Sequence, residues 1–183
     1  MLAIEWIIGI VVLVLVLAII LIYNGLVRLR VRVENAWSQI DVQLKRRYDL
    51  IPNLVNAVKG SMTPEKGVLE EVTKARASLM KGGMQDKAKA SNQITEALKS
   101  IFAVAENYPQ LKANENFKML QEELSGTESK IAYSRQFYND SVMAYNEAKQ
   151  TFPRNIFANM FNFPIKEFFQ TSADEKKNVK VEF

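Results

Sequence analysis

Sixteen residues from Ile7 to Ile22 contain fourteen Ile, Leu or Val, interrupted only by Gly9 and Ala18, and no charged residue lies between Trp6 and Tyr23. As a helix, residues 6–23 span roughly 27 Å, close to the hydrocarbon thickness of a bilayer. Each aliphatic side chain favours insertion by about 0.3–0.6 kcal/mol, so the run favours it by on the order of 5 kcal/mol. Trp6 and Tyr23 stand at its two ends, at the headgroup level that aromatic rings prefer. A cleaved signal peptide would need a basic start, a shorter apolar stretch and a small-residue cleavage site. Here Glu5 precedes the run and Tyr23-Asn24-Gly25-Leu26 follows it. The expectation is a retained single-pass anchor over 6–23, preceded by a short extracytoplasmic end, residues 1–5.

Orientation follows from the basic residues near the span. None precedes it, whereas Arg28, Arg30 and Arg32 follow within ten residues of Tyr23. The positive-inside rule then places Met1 outside and the rest of the chain in the cytoplasm, with Trp6, Tyr23, Arg28, Arg30 and Arg32 at the membrane interfaces. Beyond the anchor, 24 basic residues face 19 acids once Glu5 is set aside, a balance of +5 that suits anionic lipid. Bases alternate with acids on the later helices and no nucleic-acid-binding module is recognisable, so no nucleic-acid partner is expected.

Composition narrows the chemistry. The chain has no Cys and no His. That removes disulfides, thiolate metal sites, cysteine nucleophiles and imidazole bases, and with them most hydrolase designs. Di-iron bundles need a Glu-x-x-His arrangement, which the chain lacks. No cofactor, metal site or catalytic residue is expected.

After the anchor the pattern is helical. Val33, Trp37, Ile40, Leu44, Arg47, Ile51, Leu54 and Val58 recur in steps of three and four, one face of a first helix that continues the anchor as a single rod. Pro52 is expected to kink it and Gly60 to end it. Thr63-Pro64-Glu65 has the chemistry of a helix start, for a second helix carrying Val68, Val72, Ala75 and Leu79. Gly82–Asn92 is the most loop-like stretch. A third helix carries Ile94, Leu98, Ile101, Ala105 and Tyr108, limited by Pro109. A fourth carries Phe117, Leu120, Leu124, Ile131, Tyr138, Val142 and Tyr145. Short connections pack four such helices as an antiparallel up-and-down, coiled-coil-like bundle over residues 24–150. Only Val179–Phe183, in a charged tail over 171–183, hints at strand alternation.

Two constellations stand out. Arg47 occupies a core position of the first helix, and the fourth helix presents Glu128, Arg135 and Asn139 around Ile131, with Asn146 beyond. Charges inside a bundle must pair or reach water, and a polar seam that fixes helix register is the best-attested use of such residues. On this basis Arg135→Ala is expected to strand a buried acid at a cost of about 3–5 kcal/mol. An enzyme using Glu128 and Arg135 would lack a nucleophile, base and orienting group at matched spacing. The second constellation is a Phe/Pro-rich amphipathic segment, residues 151–170, with Phe152, Ile156, Phe157, Met160, Phe161, Phe163, Phe168 and Phe169. Either it folds back to cap the bundle, or it forms an apolar surface for the bilayer or another copy.

Residues Glu34–Val55, reading ENAWSQIDVQLKRRYDLIPNLV, resemble the signature of the LemA family. So do Leu111–Phe117, Gln121–Leu124, Thr127-Glu128, Ile131–Asp140 and Tyr145-Asn146, with Phe152-Pro153 following. The resemblance covers nearly the whole chain, least so at Gly82–Asn92. It implies a bacterial single-pass plasma-membrane protein with an antiparallel helical bundle, and it carries over no enzymatic activity. Two associations come with it: genes beside a membrane zinc metalloprotease of the HtpX type, and a part in forming magnetosome membranes. The resulting expectation is a membrane-anchored scaffold, a homo-oligomer in contact with lipid, whose Phe-rich segment supplies the contact between copies through Phe157 and Phe161. The rival expectation is an adaptor of the metalloprotease in envelope protein quality control.

Overall fold

The computed structural model describes residues 2–61 and 66–169. The described residues form six helices: α1 (Leu2–Ser61), α2 (Lys66–Leu79), α3 (Met84–Ala105), α4 (Pro109–Ala113), α5 (Glu115–Gln150) and α6 (Arg154–Met160). No strand occurs among the described residues. The fold is all-α, and its long helices α1, α2, α3 and α5 are the four that the apolar periodicity predicts. Thr63-Pro64-Glu65 and Val179–Phe183 lie outside the described residues.

α1 contains Pro52 without interruption, and the reason is visible beside it. Proline removes the N–H that would bond the carbonyl four residues earlier, leaving the Tyr48 C=O without its helical donor. Arg76 on α2 supplies a replacement: its Nε donates to the Tyr48 carbonyl at 3.0 Å, and its guanidinium stacks 3.8 Å above the Tyr48 ring. The freed carbonyl thus becomes a tie between two helices. α1 ends at Ser61, one residue past the expected stop at Gly60.

The stretch Gly82–Asn92, expected to be a loop, is almost entirely helical, since α3 begins at Met84. Two glycines and two lysines hide a start signal: the Asp86 carboxylate accepts the Gly83 N–H at 3.1 Å, closing the first turn. The connection shrinks to a few residues that turn at Gly82, whose φ of +85° and close contact with Asp86 exclude a side chain. At its other end α3 stops at Ala105, so Tyr108 is not part of it. Pro109 holds Tyr108 in an extended conformation (φ −117°, ψ 90°) and opens α4 instead. Asn114 caps α5, its Oδ1 accepting the Phe117 N–H at 3.2 Å.

The chain divides into two compact units. One comprises Met1–Ser38 with Gln136–Phe168; the other comprises Gln39–Arg135 with Phe169. In the second, α2 packs along α3. Ile40, Leu44, Ile51, Leu54 and Val58 of α1, Val72 and Leu79 of α2, Ile94 of α3 and Leu124 and Ile131 of α5 are buried there. Charged ties join the helices: Arg46 to Glu123 at 3.1 Å between α1 and α5, and Lys87 to Asp41 between α3 and α1.

In the first unit, α1 from Ile4 to Leu21 exposes nearly every large side chain, and burial begins at Leu26. α6 ends in a Schellman turn. The Phe163 N–H bonds the Ala158 carbonyl at 2.9 Å and the Asn162 N–H bonds that of Asn159 at 3.2 Å, with Asn162 at φ 52°. Asn is the residue after Gly that best tolerates that conformation. The turn reverses the chain so that Phe163 points inward.

Candidate functional site

Arg47 lies one heptad beyond Ile40 on the buried stripe of α1, so the helix itself carries a guanidinium into the core of the second unit. It is 0% exposed. Its Nη1 donates to the Ser91 carbonyl at 3.2 Å, the Ser91 hydroxyl at 3.4 Å and Thr95 Oγ1 at 3.2 Å. Its Nη2 forms an ion pair with Glu128, and its Nε is buried without a hydrogen-bond partner among the described residues. Thr95 Oγ1 lies 3.1 Å from both Glu128 carboxylate oxygens and 3.1 Å from the Ser91 carbonyl, so its single proton serves one of them at a time. Burial and, secondarily, the like charge of Arg135 lower the Arg47 pKa to about 10.

The seam expected from sequence comprised Arg47, Glu128, Arg135 and Asn139. The structure brings Arg47 and Glu128 together. The buried member is the arginine; the Glu128 side chain is 37% exposed, so the premise of a buried acid does not hold. Arg135 sits with its guanidinium 5.0 Å from the Phe169 ring centre, and Asn139 is half-buried. Ser91 and Thr95 are the residues that the sequence does not single out, Ser91 because its surroundings in Gly82–Asn92 read as a loop. Beside Glu128 and Thr95, a cleft of about 540 Å³ opens between α3 and α5 over Leu98, Phe102 and Leu124. Its Lys99 is paired with Glu96 at 2.9 Å. Arg47, Glu128 and Lys99 are each paired with another protein group, an arrangement suited to holding helices in register.

The C-terminal segment is held by a separate set of side chains in the first unit. Tyr145 Oη donates to the Pro164 carbonyl at 2.7 Å and Tyr138 Oη to the Glu167 carbonyl at 2.9 Å. Between them Asn146 makes a reciprocal pair with Lys166: its Nδ2 donates to the Lys166 carbonyl at 2.8 Å while its Oδ1 accepts the Lys166 N–H at 3.0 Å. Three side chains on two turns of α5 therefore satisfy an extended backbone that has no ladder of its own. Lys166 also reaches Glu34 of α1 at 3.5 Å. The apolar spacing of α5 showed Tyr138 and Tyr145 as core residues; their hydroxyls, which do the clasping, leave no trace in such a pattern.

Burial raises the Tyr138 phenol to about 12, with Glu167 adding to the effect. Burial also raises that of Tyr145, against a lowering pull from Arg30 and with a smaller raising contribution from Glu34. A raised phenol stabilises the folded state fully below pH 10 and progressively less toward pH 12, because the unfolded chain gives up its proton first. Arg47, shifted down, acts in the opposite direction over a similar range. Unfolding free energies from pH 9 to 12 are therefore expected to fall less steeply in Tyr138→Phe than in the parent protein.

The residues expected at the membrane interface and in the Phe-rich surface divide. Trp6 is exposed, and Arg28 folds back on its own helix, its Nε donating to the Asn24 carbonyl at 3.3 Å. Arg30 lies 5.3 Å over the Phe163 ring and Arg32 5.3 Å over that of Phe137. The Tyr23 ring meets Phe161 and Phe163 edge-on, at 5.0 and 5.9 Å between centroids. Phe163 and Phe169 are buried and drop out of the expected surface, because the clasp and the Schellman turn fold them inward. Phe157 is half-buried, and Phe152, Ile156, Met160, Phe161 and Phe168 remain exposed.

These features define an all-α protein with one N-terminal helix long and apolar enough to cross a membrane, packed downstream by a buried arginine seam and a clasped C-terminal segment. The chain belongs to the LemA family, whose match extends over residues 36–183. It is 25% identical over 158 residues to Protein LemA of Metamycoplasma hominis, covering 85% of this chain and 72% of that protein. It is also 25% identical over 175 residues to the magnetosome proteins MamQ 1 and MamQ 2 of Paramagnetospirillum magneticum, covering 81% of this chain. Only 64% of the length of either MamQ protein is spanned.

Proposed function

We propose that this chain is a non-enzymatic helical scaffold that crosses the bacterial plasma membrane once through residues 6–23 and self-associates to organise membrane or partner proteins. The observation that carries this reading is the change along α1. From Ile4 to Leu21 none of its side chains is buried among the described residues, whereas from Leu26 onward the same unbroken helix is packed. Water would make the first part costly; lipid, or lipid together with the spans of other copies, makes it favourable. Arg28, Arg30 and Arg32 favour Met1 outside and the remainder in the cytoplasm. The internal pairing of Arg47 with Glu128 supports a structural rather than a catalytic use of the charged core. Kinship with two magnetosome proteins fits a part in assembly on a membrane.

Particle size tests it. The gently extracted full-length protein is expected to form a discrete multi-copy assembly by electron microscopy and mass determination, and a version beginning at Asn24 is expected to fall apart into smaller species. A single copy in both preparations would remove self-association. A dominant protease neighbour in proximity labelling would then favour the adaptor.

A further inference from the structure

We infer that the exposed face of α6, with Ile156, Met160 and Phe161, lies in the interfacial layer of the same bilayer that α1 crosses, giving the protein a second membrane contact. This rests on the reading of residues 6–23 as the span. Tyr23 ends that span, and the interfacial layer on each side of the hydrocarbon is about 5–8 Å deep. The Phe161 ring centre stands 5.0 Å from that of Tyr23 and the Phe163 ring centre 5.9 Å, all within one compact unit. Placing Tyr23 at the headgroups therefore brings Phe161 to the interface or to its edge, whichever way the ring points.

The side chains that accompany Phe161 have the required chemistry. Ile156 and Met160 are one helical turn apart and share a face of α6. They are 54% and 58% exposed, and Phe161 is 43% exposed. Ile20 and Leu21, the last aliphatic residues exposed to the same degree before Tyr23, carry the apolar surface of the span up to this point. Arg154 opens α6 and Arg28 stands on α1 just past Tyr23, both exposed, so cations flank the apolar face as an anionic headgroup layer favours. The orientation is not free to vary. The Schellman turn and the buried Phe163, held under Arg30, fix α6 relative to the exit of the span. A second copy of the chain could cover such a face too, but it would not account for the face being held at the depth where the span leaves the membrane. A contact beside the span also resists rotation of α1 about its own axis, which a single helix in lipid does not.

The absence of cysteine makes the test clean, because one introduced thiol takes one probe. Full-length protein carrying Leu13→Cys, Met160→Cys or Met143→Cys is labelled with a nitrobenzoxadiazole fluorophore. Each is reconstituted into phosphatidylcholine–phosphatidylglycerol vesicles with or without bromine on the upper acyl chain. Met143, 56% exposed, stands on α5 one turn before Asn146, which donates to the Lys166 carbonyl at 2.8 Å, and Lys166 reaches Glu34 of α1 at 3.5 Å. It is thus roughly 15 Å further along α1 than Tyr23. Brominated lipid is expected to quench the Met160 probe about half as strongly as the Leu13 probe or more, and to leave the Met143 probe accessible to aqueous iodide. A Met160 probe that behaves like the Met143 probe overturns the inference while a quenched Leu13 probe keeps the span. Protection from both quenchers, with energy transfer between copies that falls on dilution with unlabelled protein, overturns it in favour of a second copy. An unquenched Leu13 probe removes the span itself, and this inference with it.

Discussion

Glu128→Ala is expected to lower the melting temperature of the detergent-extracted protein by roughly 6–12 °C, while Arg47→Met leaves it unchanged or raises it. The asymmetry comes from burial. Arg47 is 0% exposed, so its charge depends on the Glu128 carboxylate and on the oxygens of Ser91 and Thr95. Removing a partner from a buried pair costs about 3–5 kcal/mol, and the lower part of that range applies here, since water can reach the 37%-exposed position left by Glu128. Methionine matches much of the volume of arginine and carries no charge. It also deletes an Nε that is buried without a partner and a charge held against Arg135. Replacing buried ion pairs by apolar side chains is often neutral or stabilising by about 1–4 kcal/mol. A loss in Arg47→Met equal to that in Glu128→Ala would mean that the pair contributes net stability rather than register. Circular-dichroism melts of the two variants decide it.

Phe163→Ala is expected to destabilise the first unit by about 3–5 kcal/mol, the range for losing a buried aromatic ring. The side chain is 4% exposed, lies under Arg30, and packs edge-on against Tyr23. It also closes the Schellman turn with Ala158, which is fully buried. Limited proteolysis provides the local readout: the variant is expected to be cut beyond Gln150 much faster than the parent. Met160→Ala, on the exposed face of α6, is expected to leave the cutting rate unchanged. Equal rates for Phe163→Ala and parent would show that the clasp formed by Tyr138, Tyr145 and Asn146 holds the segment without the ring.

The helices were legible because their cause is local. Residues such as Ile40, Leu44, Ile51 and Leu54 recur with the period of the helix, and the same spacing placed Arg47 on the buried stripe. The start of α3 is hidden for an equally local reason. A run rich in Gly and Lys looks like a loop until the Asp86 carboxylate is seen to accept the Gly83 N–H. Pro52 is a different case. Its chemistry forecast a lost hydrogen bond in α1, and the donor that replaces it, Arg76, comes from another helix.

From residues 6–23 alone follows a segment that no water-facing surface would tolerate, because transfer free energy adds along the chain and needs no knowledge of neighbours. The same holds for the period of the helices and for chemistry that cannot occur without Cys or His. Which acid answers Arg47, which phenylalanines turn inward and which face outward, and which carbonyls Tyr138, Tyr145 and Asn146 hold were decided only in three dimensions. Those choices depend on groups 19 to 81 residues apart meeting at hydrogen-bond distance, as Tyr145 and Pro164 or Arg47 and Glu128 do. Side-chain type states what a group can bond to; only the packing of one helix on another states what is there.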